Sequence, residues 1–477
     1  MKRIAIVGGG IAGLAAAFAI EKQRKSGAEV EYTLFEASPR FGGVLATDHL
    51  DGCQIEAGPD SFLTEKPWAS DFCHELGIGD QLVPSNDADR KTYIVVKGRL
   101  ILIPDGLMFM VPTKMLPMVF SPLFSLSAKL QMAREWFHPP RKADADETVA
   151  SFVERHYGPE MVDRLADPLL SGVYGGGANE LSVRAALPRF AEMEAKYGSL
   201  GRGMLAARRK MAQTAKAPAR PLFTALTGGM QGMADAAVSQ LTRSALRPSS
   251  PVQSVQPQSD GWLVSAGSAS DRFDAVVIAT PTQIAANLVH GANSGLASEL
   301  LGVQYSSSIT VNLGYDRKVR DSLPPGFGFL IPRSEGKRMM AATFVHNKFP
   351  HRAPPERALL RCFIGGSRNE KLLDASDDEL LNIVSEDLGQ IIGLTARPVF
   401  TRIYRWRRAM AQYDVGHLER LERIGTLLRQ LPGLALAGNG YRGIGVPDSV
   451  RTGTEAAQKC LATLGMTSET PQKTAAI

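Results

Sequence analysis

Cysteine is scarce: 477 residues hold four, Cys53, Cys73, Cys362 and Cys460, with no C-x-x-C pair among them. So few exclude a disulfide scaffold, and their spacing offers neither a cysteine zinc site nor a dithiol redox motif. A reducing cytoplasm is the expected compartment. Long apolar runs are missing as well. The richest candidate lies between Ile101 and Pro140, yet its longest charge-free stretch, Met115 to Ala128, contains Pro117 and Pro122. A membrane span needs about 20 consecutive apolar residues. Lys2 and Arg3 precede an apolar run, but it breaks at Gly8-Gly9-Gly10 without a cleavage site, so no secretory signal is expected. The chain is expected to be cytoplasmic, with at most peripheral contact at the inner face of a membrane.

Hydrolytic signatures are also missing. There is no Ser-His-Asp pattern and no H-E-x-x-H, and no metal ligands are expected. His346 and His351 stand five apart, which suits neither a helix-face nor a strand-face metal pair; both are expected at the surface. Neither sign of charge dominates, since 54 Lys plus Arg against 48 Asp plus Glu leaves +6. One run departs from that balance. From Lys196 to Arg220 there are seven basic residues (Lys196, Arg202, Arg208, Arg209, Lys210, Lys216, Arg220) and no acidic one. It reads as a solvated helix face, or as a surface for carboxylates or anionic lipid headgroups. No aromatic platform accompanies it, so no nucleic-acid partner is expected.

What is present is ample core material, 44% hydrophobic against 21% charged residues. Ile4-Ala5-Ile6-Val7 forms a short apolar strand, Ala12 to Lys22 an alanine-rich helix, and Glu31 to Phe35 the next strand. Strand, glycine loop, helix and strand make a βαβ unit with a parallel sheet. Gly8-Gly9-Gly10-Ile11-Ala12-Gly13 fills the loop: Gly8 for the tight turn, Gly10 for close approach of a pyrophosphate, Gly13 for helix–strand packing. The helix N-terminus favours phosphate there. Glu36 ends the second strand 23 residues after Gly13, where a carboxylate binds ribose hydroxyls. This predicts an adenine-dinucleotide site, and the loop alone does not choose between FAD and NAD. Strands are also expected at Pro251–Val255, Gly261–Val264, Ala275–Ala279 and Leu434–Ala437, with a helix over Ser449–Leu461. Residues 86–220 read as mainly helical. Alternation such as Ser308 to Leu313 marks 301–404 as antiparallel sheet.

Past the acid, Ala37 leads into Arg40-Phe41-Gly42-Gly43, which places an arginine and compact residues near the same pyrophosphate. This extension, and Asp274 to Pro281, resemble flavoprotein oxidases of the amine-oxidase type. Further segments resemble the porphyrinogen oxidases of haem synthesis: Glu56 to Phe62, Pro168 to Gly176, Gly326 to Pro332, and Leu431 through Asp448. The matches run through almost the whole chain. Two positions depart from the family's pattern, Gly440 where an aromatic is usual and Ala411 where proline is usual.

The resemblance implies an α/β fold: a discontinuous Rossmann-type FAD-binding domain (1–85, 221–300 and 405–477), a mainly helical insertion (86–220) and an antiparallel-sheet substrate domain (301–404). It implies non-covalent FAD held by the first loop, Glu36, Ala37, Arg40, Gly42 and Gly43. Gly58, Pro59, Asp60 and Ser61 come near the ring, Val252 meets adenine through main chain, and Trp406 stands near the flavin. The Ile444-Gly445-Val446 loop opens a helix whose dipole favours the reduced ring. The implied reaction removes six electrons from a porphyrinogen in three rounds, each a hydride to flavin N5, with oxygen as acceptor. No protein nucleophile is needed and no catalytic side chain is assigned. Gly172, Leu330 and Phe344 are expected to line an apolar pocket, with Arg90 and Lys91 for propionates. The basic run, with Lys337, Arg338 and Arg352, favours coproporphyrinogen III over protoporphyrinogen IX. The apolar stretch holding Met108, Phe109, Met110, Leu116, Met118, Val119, Phe120, Leu123 and Phe124 either roofs that pocket or dips into a bilayer. An amine oxidase, a carotenoid desaturase, and a tetrapyrrole-binding protein that hands porphyrin to a ferrochelatase are the alternatives. Transient contact with a ferrochelatase is also open to the enzyme.

Overall fold

In the computed structural model, which describes residues 1–108, 110–112, 114–141, 145–214, 221–366 and 369–466, five parallel strands form the central sheet. Their order is Leu246–Arg247, Val30–Phe35, Lys2–Val7, Ala275–Ile278 and Leu434–Leu436. Chain segments far apart in sequence thus meet in one sheet. Ile4, Ile6, Val276 and Val277 are fully buried, as strands covered on both faces require. The glycine-loop helix Ile11–Lys25 packs tightly on the carboxy-terminal helix Val446–Thr463: a Cβ on Gly453 would lie 2.0 Å from the Ala12 carbonyl oxygen. That second helix starts three residues before the expected Ser449. Pro447 is tolerated in a first turn, where its missing N–H is not needed.

A second, seven-stranded sheet runs Phe400–Ala411, Tyr305–Asp316, Arg357–Gly365, Met339–Phe344, Gly328–Leu330, Thr92–Val96 and Arg99–Leu102. It is antiparallel except where Gly328–Leu330 runs parallel to Thr92–Val96. The stretch 86–220 therefore opens with a short 3-10 helix, Asp87–Asp89, and a hairpin before its α-helices. Lys97 and Gly98, both at positive φ (51° and 71°), make its two-residue turn, whose twist matches the strands it joins.

Register decides what each face of this sheet does, because successive side chains alternate. Ile309, Val311, Leu313, Phe329, Phe344, Leu360, Cys362 and Ile364 share one face and pack with Leu380, Ile383, Val384 and Leu388 of helix Asp377–Ile392. Ser308, Thr310, Asn312, Leu330, Arg361 and Trp406 fall on the other. Beyond its hairpin, 86–220 folds into helices over one core that includes Met110, Met118, Leu123, Phe124, Phe152 and Leu165. No helix of the described residues is long and apolar enough to cross a membrane. All four cysteines are buried and free.

Candidate active site

The glycine loop has the shape that a pyrophosphate requires. Gly8 takes φ +105° and donates its N–H to the Phe35 carbonyl at 2.8 Å. A Cβ on Gly13 would stand 1.8 Å from the Gly8 carbonyl oxygen, so only hydrogen fits between loop and helix. Gly10 caps the helix in extended backbone, and among the described residues no atom lies within 4 Å of where its Cβ would point. No side chain among them caps that helix, so N–H groups of the first turn (Ile11, Ala12, Gly13) face a cradle that a dinucleotide fits.

Glu36 is fixed by backbone: Gly9 N–H donates to Oε2 at 2.7 Å and Ser38 N–H to Oε1 at 2.8 Å, with exposed Ala37 between Glu36 and Ser38. The Ser250 N–H donates to the Glu36 carbonyl at 2.7 Å, which brings the strand beginning at Val252 beside the acid. Arg40 is held against the backbone of its own loop. Its guanidinium donates to the Phe41, Leu45 and Gly43 carbonyls at 2.9, 2.7 and 2.5 Å. It shapes the second glycine loop. Through it Gly42 N–H meets the Gly9 carbonyl at 2.8 Å, and Gly43 closes on Gly10.

The Ala57–Ser61 turn continues this wall and is held from the second sheet. The Ala57 carbonyl accepts from Trp406 Nε1 at 2.8 Å and Thr310 Oγ1 at 3.3 Å. The Gly58 carbonyl accepts from Arg361, and the Asp60 carbonyl from Arg352 at 2.7 Å, with Pro59 between them. Lys348 Nζ lies 2.9 Å from the Asp60 carboxylate and 3.1 Å from Ser61 Oγ. Burial works against ionisation of Asp60, but Lys348, Arg361 and Arg352 outweigh it and hold the carboxyl well below its usual range. Burial pushes the neighbouring Glu56 carboxyl up, with Arg352 opposing at 3.2 Å.

At the carboxy-terminal loop, Ile444, Gly445 and Val446 enter the long helix as expected. Asp448 accepts the Gly445 N–H at 3.3 Å and pairs with Lys66 at 2.6 Å. Gly440 has no room for the family's aromatic, since a Cβ would meet Thr282 Cγ2 at 2.4 Å and the Tyr305 hydroxyl at 2.6 Å.

Among the expected pocket residues, Gly172 and Leu330 do meet: a Cβ on Gly172, in helix Asp167–Tyr174, would stand 3.9 Å from Leu330 Cδ2. Phe344 does not join them. Leu330 pairs with Ala341, three residues from Phe344, so the two side chains leave opposite faces of the sheet. Phe344 is fully buried, edge-on to Phe329 at 6.1 Å. Arg90 and Lys91 are both exposed, Arg90 3.7 Å from Asp87, and Lys91 leads into the strand that pairs with Gly328–Leu330. The other cations disperse. Arg352 is wholly buried against Glu56, Arg338 pairs with Glu386 at 2.9 Å, and Lys337 bonds Gln390. In the basic run, Arg202 donates to the His138 and Tyr197 carbonyls, while Arg208, Arg209 and Lys210 are exposed; Lys216 and Arg220 lie outside the described residues. His346 is buried rather than at the surface, its Nδ1 against the backbone of Leu359 at 3.1 Å. The apolar stretch divides. Met110, Met118, Leu123 and Phe124 are core, whereas Leu116, Val119 and Phe120 are exposed; Phe109 and the Met108 side chain lie outside the described residues. The buried part belongs to the core against which Leu330 packs, and the exposed part faces outward.

Residues 11–461 match the family model described as flavin-containing amine oxidoreductase. A coproporphyrinogen III oxidase of Bacillus subtilis is 34% identical over 96% of this chain and 98% of its own length. A protoporphyrinogen oxidase 2 of Arabidopsis thaliana, chloroplastic/mitochondrial, is 29% identical over 96% and 94%. A crystal structure from an Exiguobacterium species, assigned to the protoporphyrinogen oxidases, superposes with a TM-score of 0.86 at 30% identity, covering 97% of this chain and 99% of that one. The chain belongs to the flavin-containing amine oxidoreductase family.

This flavoprotein is an oxidoreductase whose cofactor is FAD, and the cradle at Gly10 with Glu36 beside it suits that dinucleotide. Sequence reasoning missed Thr310, Lys348 and Arg361. Arg361 stands between apolar neighbours in Leu359-Leu360-Arg361-Cys362, and its parity with Thr310 across the strand pair was the available signal.

Proposed function

We propose that this flavoprotein oxidises coproporphyrinogen III to coproporphyrin III with oxygen as acceptor, a step toward haem b. The observation that carries the reading is the wall where glycine at 172 leaves space over Leu330. Leu330 shares its sheet face with Thr310, Arg361 and Trp406, which bond the Ala57–Ser61 turn. A flat macrocycle entering there needs an apolar surface and a fixed orientation more than it needs an acid or base. Bound FAD supplies hydride acceptance from the saturated ring carbon. The chain's own part is to seat the substrate between helix Asp167–Tyr174 and the sheet, and to exclude water. End-to-end similarity to coproporphyrinogen III oxidases supports the choice of substrate. Protoporphyrinogen IX is the second reading, favoured by the dispersal of the cations that were expected to gather for extra propionates.

Residues 1–85, 221–300 and 405–477 are read as the FAD-binding unit, and 86–220 with 301–404 as the substrate side. Exposed Leu116, Val119, Phe120, Leu126 and Phe137, with Lys129 and Arg134 beside them, support peripheral contact with an anionic membrane; transient contact with a ferrochelatase is proposed alongside it. Comparing kcat/KM for the two porphyrinogens by porphyrin fluorescence tests the substrate. At least tenfold preference for coproporphyrinogen III is expected, about 1.4 kcal/mol of differential transition-state binding. The reverse preference would move the assignment to protoporphyrinogen IX.

A further inference from the structure

Behind the Ala57–Ser61 turn lies a layer of five charged side chains, Glu56, Asp60, Lys348, Arg352 and Arg361, little exposed or wholly buried. With all five ionised, two negative and three positive charges leave an excess of one positive charge. The cations come from three places: Arg361 from strand Arg357–Gly365, Lys348 from the end of helix Val345–Lys348, Arg352 from the turn Pro350–Arg352. Each reaches a different point of the turn, the Gly58 carbonyl, the Asp60 carboxylate and the Asp60 carbonyl. Nε and Nη1 of Arg352, and Nε of Arg361, have no hydrogen-bond partner among the described residues.

Such a layer is a poor way to stabilise a fold. Each buried donor left unpaired costs about 1–3 kcal/mol, and buried ion clusters seldom repay their desolvation. Resting on the reading that this turn borders the flavin, we propose that Lys348, Arg352 and Arg361 are positioning residues that fix the turn and, through their excess charge, raise the reduction potential of the bound flavin. Two electrons and one proton, arriving as hydride from the substrate's ring carbon, leave the bound ring with a negative charge. A positive excess in a poorly solvated layer stabilises that charge, since Coulomb energy grows as the effective dielectric falls.

Anaerobic reductive titration of the FAD-loaded protein beside a reference dye reads this directly. Lys348→Met removes one positive charge and shifts the reduced-to-oxidised ratio at fixed potential at least tenfold toward oxidised, about 30 mV for a two-electron couple. Asp60→Asn shifts it at least tenfold the other way. The double variant restores the net charge and returns within threefold of the parent. Arg361→Lys keeps the charge and keeps the potential, which covers a charge variant that fails to fold. A packing role alone would loosen the turn in every variant and move all potentials in one direction; that result, or none moving while FAD stays bound, overturns the proposal. Pro59→Trp, at a partly exposed position of the same turn, separates the two levels. If it leaves the flavin absorbance band unchanged, the turn does not border the flavin and the underlying reading fails too. If it perturbs the band while the charge variants keep the parent potential, the proposal alone falls.

Discussion

The nucleotide end of the site and the substrate end are built by different means. The nucleotide end is backbone: N–H groups, carbonyls and positions where a side chain has no place, supplied by neighbours in sequence. The proposed substrate end gathers groups distant in sequence, the bare backbone of Gly172 beside the Leu330 side chain, whose place depends on the register of a seven-stranded sheet. The first tolerates almost no change of shape. The second should tolerate changes of shape and respond to changes of size and charge.

The sharpest way to break that contrast lies in the glycine loop. Gly13→Val should abolish both FAD binding and the fold, because its Cβ position already lies against the Gly8 carbonyl. Gly10→Val should fold with an unchanged far-ultraviolet spectrum yet bind no FAD, since its Cβ space is the cradle itself. Full FAD occupancy of Gly10→Val by absorbance would break the account of the nucleotide end. Next comes parity in the sheet. Phe344→Ala should cost about 3–5 kcal/mol in denaturant unfolding, as a core aromatic does, and leave kcat/KM for porphyrinogen near that of the parent where the protein is folded. Gly172→Phe should do the reverse, lowering kcat/KM at least tenfold, about 1.4 kcal/mol, with the flavin spectrum intact. A Phe344→Ala enzyme with its defect in kcat/KM alone would return that ring to the pocket.

The smallest expected effect is in pH. Burial brings the His346 pKa down to about 4, against 6.5 for the unfolded chain. Between those values the unfolded state binds more protons, so stability rises with pH and is lost as pH falls through the window. His346→Asn should flatten the stability slope between pH 6.5 and 5 by about 1–2 kcal/mol, measured by urea unfolding. An unchanged slope would mean that the imidazole keeps an ordinary pKa.

The same contrast explains what the sequence disclosed. Gly8, Gly10, Gly13 and Glu36 act within one βαβ unit, so their spacing carries their geometry. Lys97-Gly98 was a hairpin signal of the same local kind, passed over inside a stretch dominated by helices. Phe344 and Leu330 could be paired only with the register in hand, because a one-residue change of parity reverses the face. Arg40 and Arg352 carried a charge that suggested ligands. Their carbonyl and carboxylate partners emerge only from the folded turns.

In the proposed reaction a porphyrinogen delivers its electrons to this protein's flavin. Anaerobic mixing of the yellow protein with coproporphyrinogen III, followed by visible absorbance and porphyrin fluorescence together, tests it most directly. The account predicts that the flavin band bleaches within the mixing experiment, that porphyrin fluorescence rises with it, and that admitting oxygen restores the band. A band that stays intact with coproporphyrinogen III and with protoporphyrinogen IX, while an amine or a polyene bleaches it, would contradict the account.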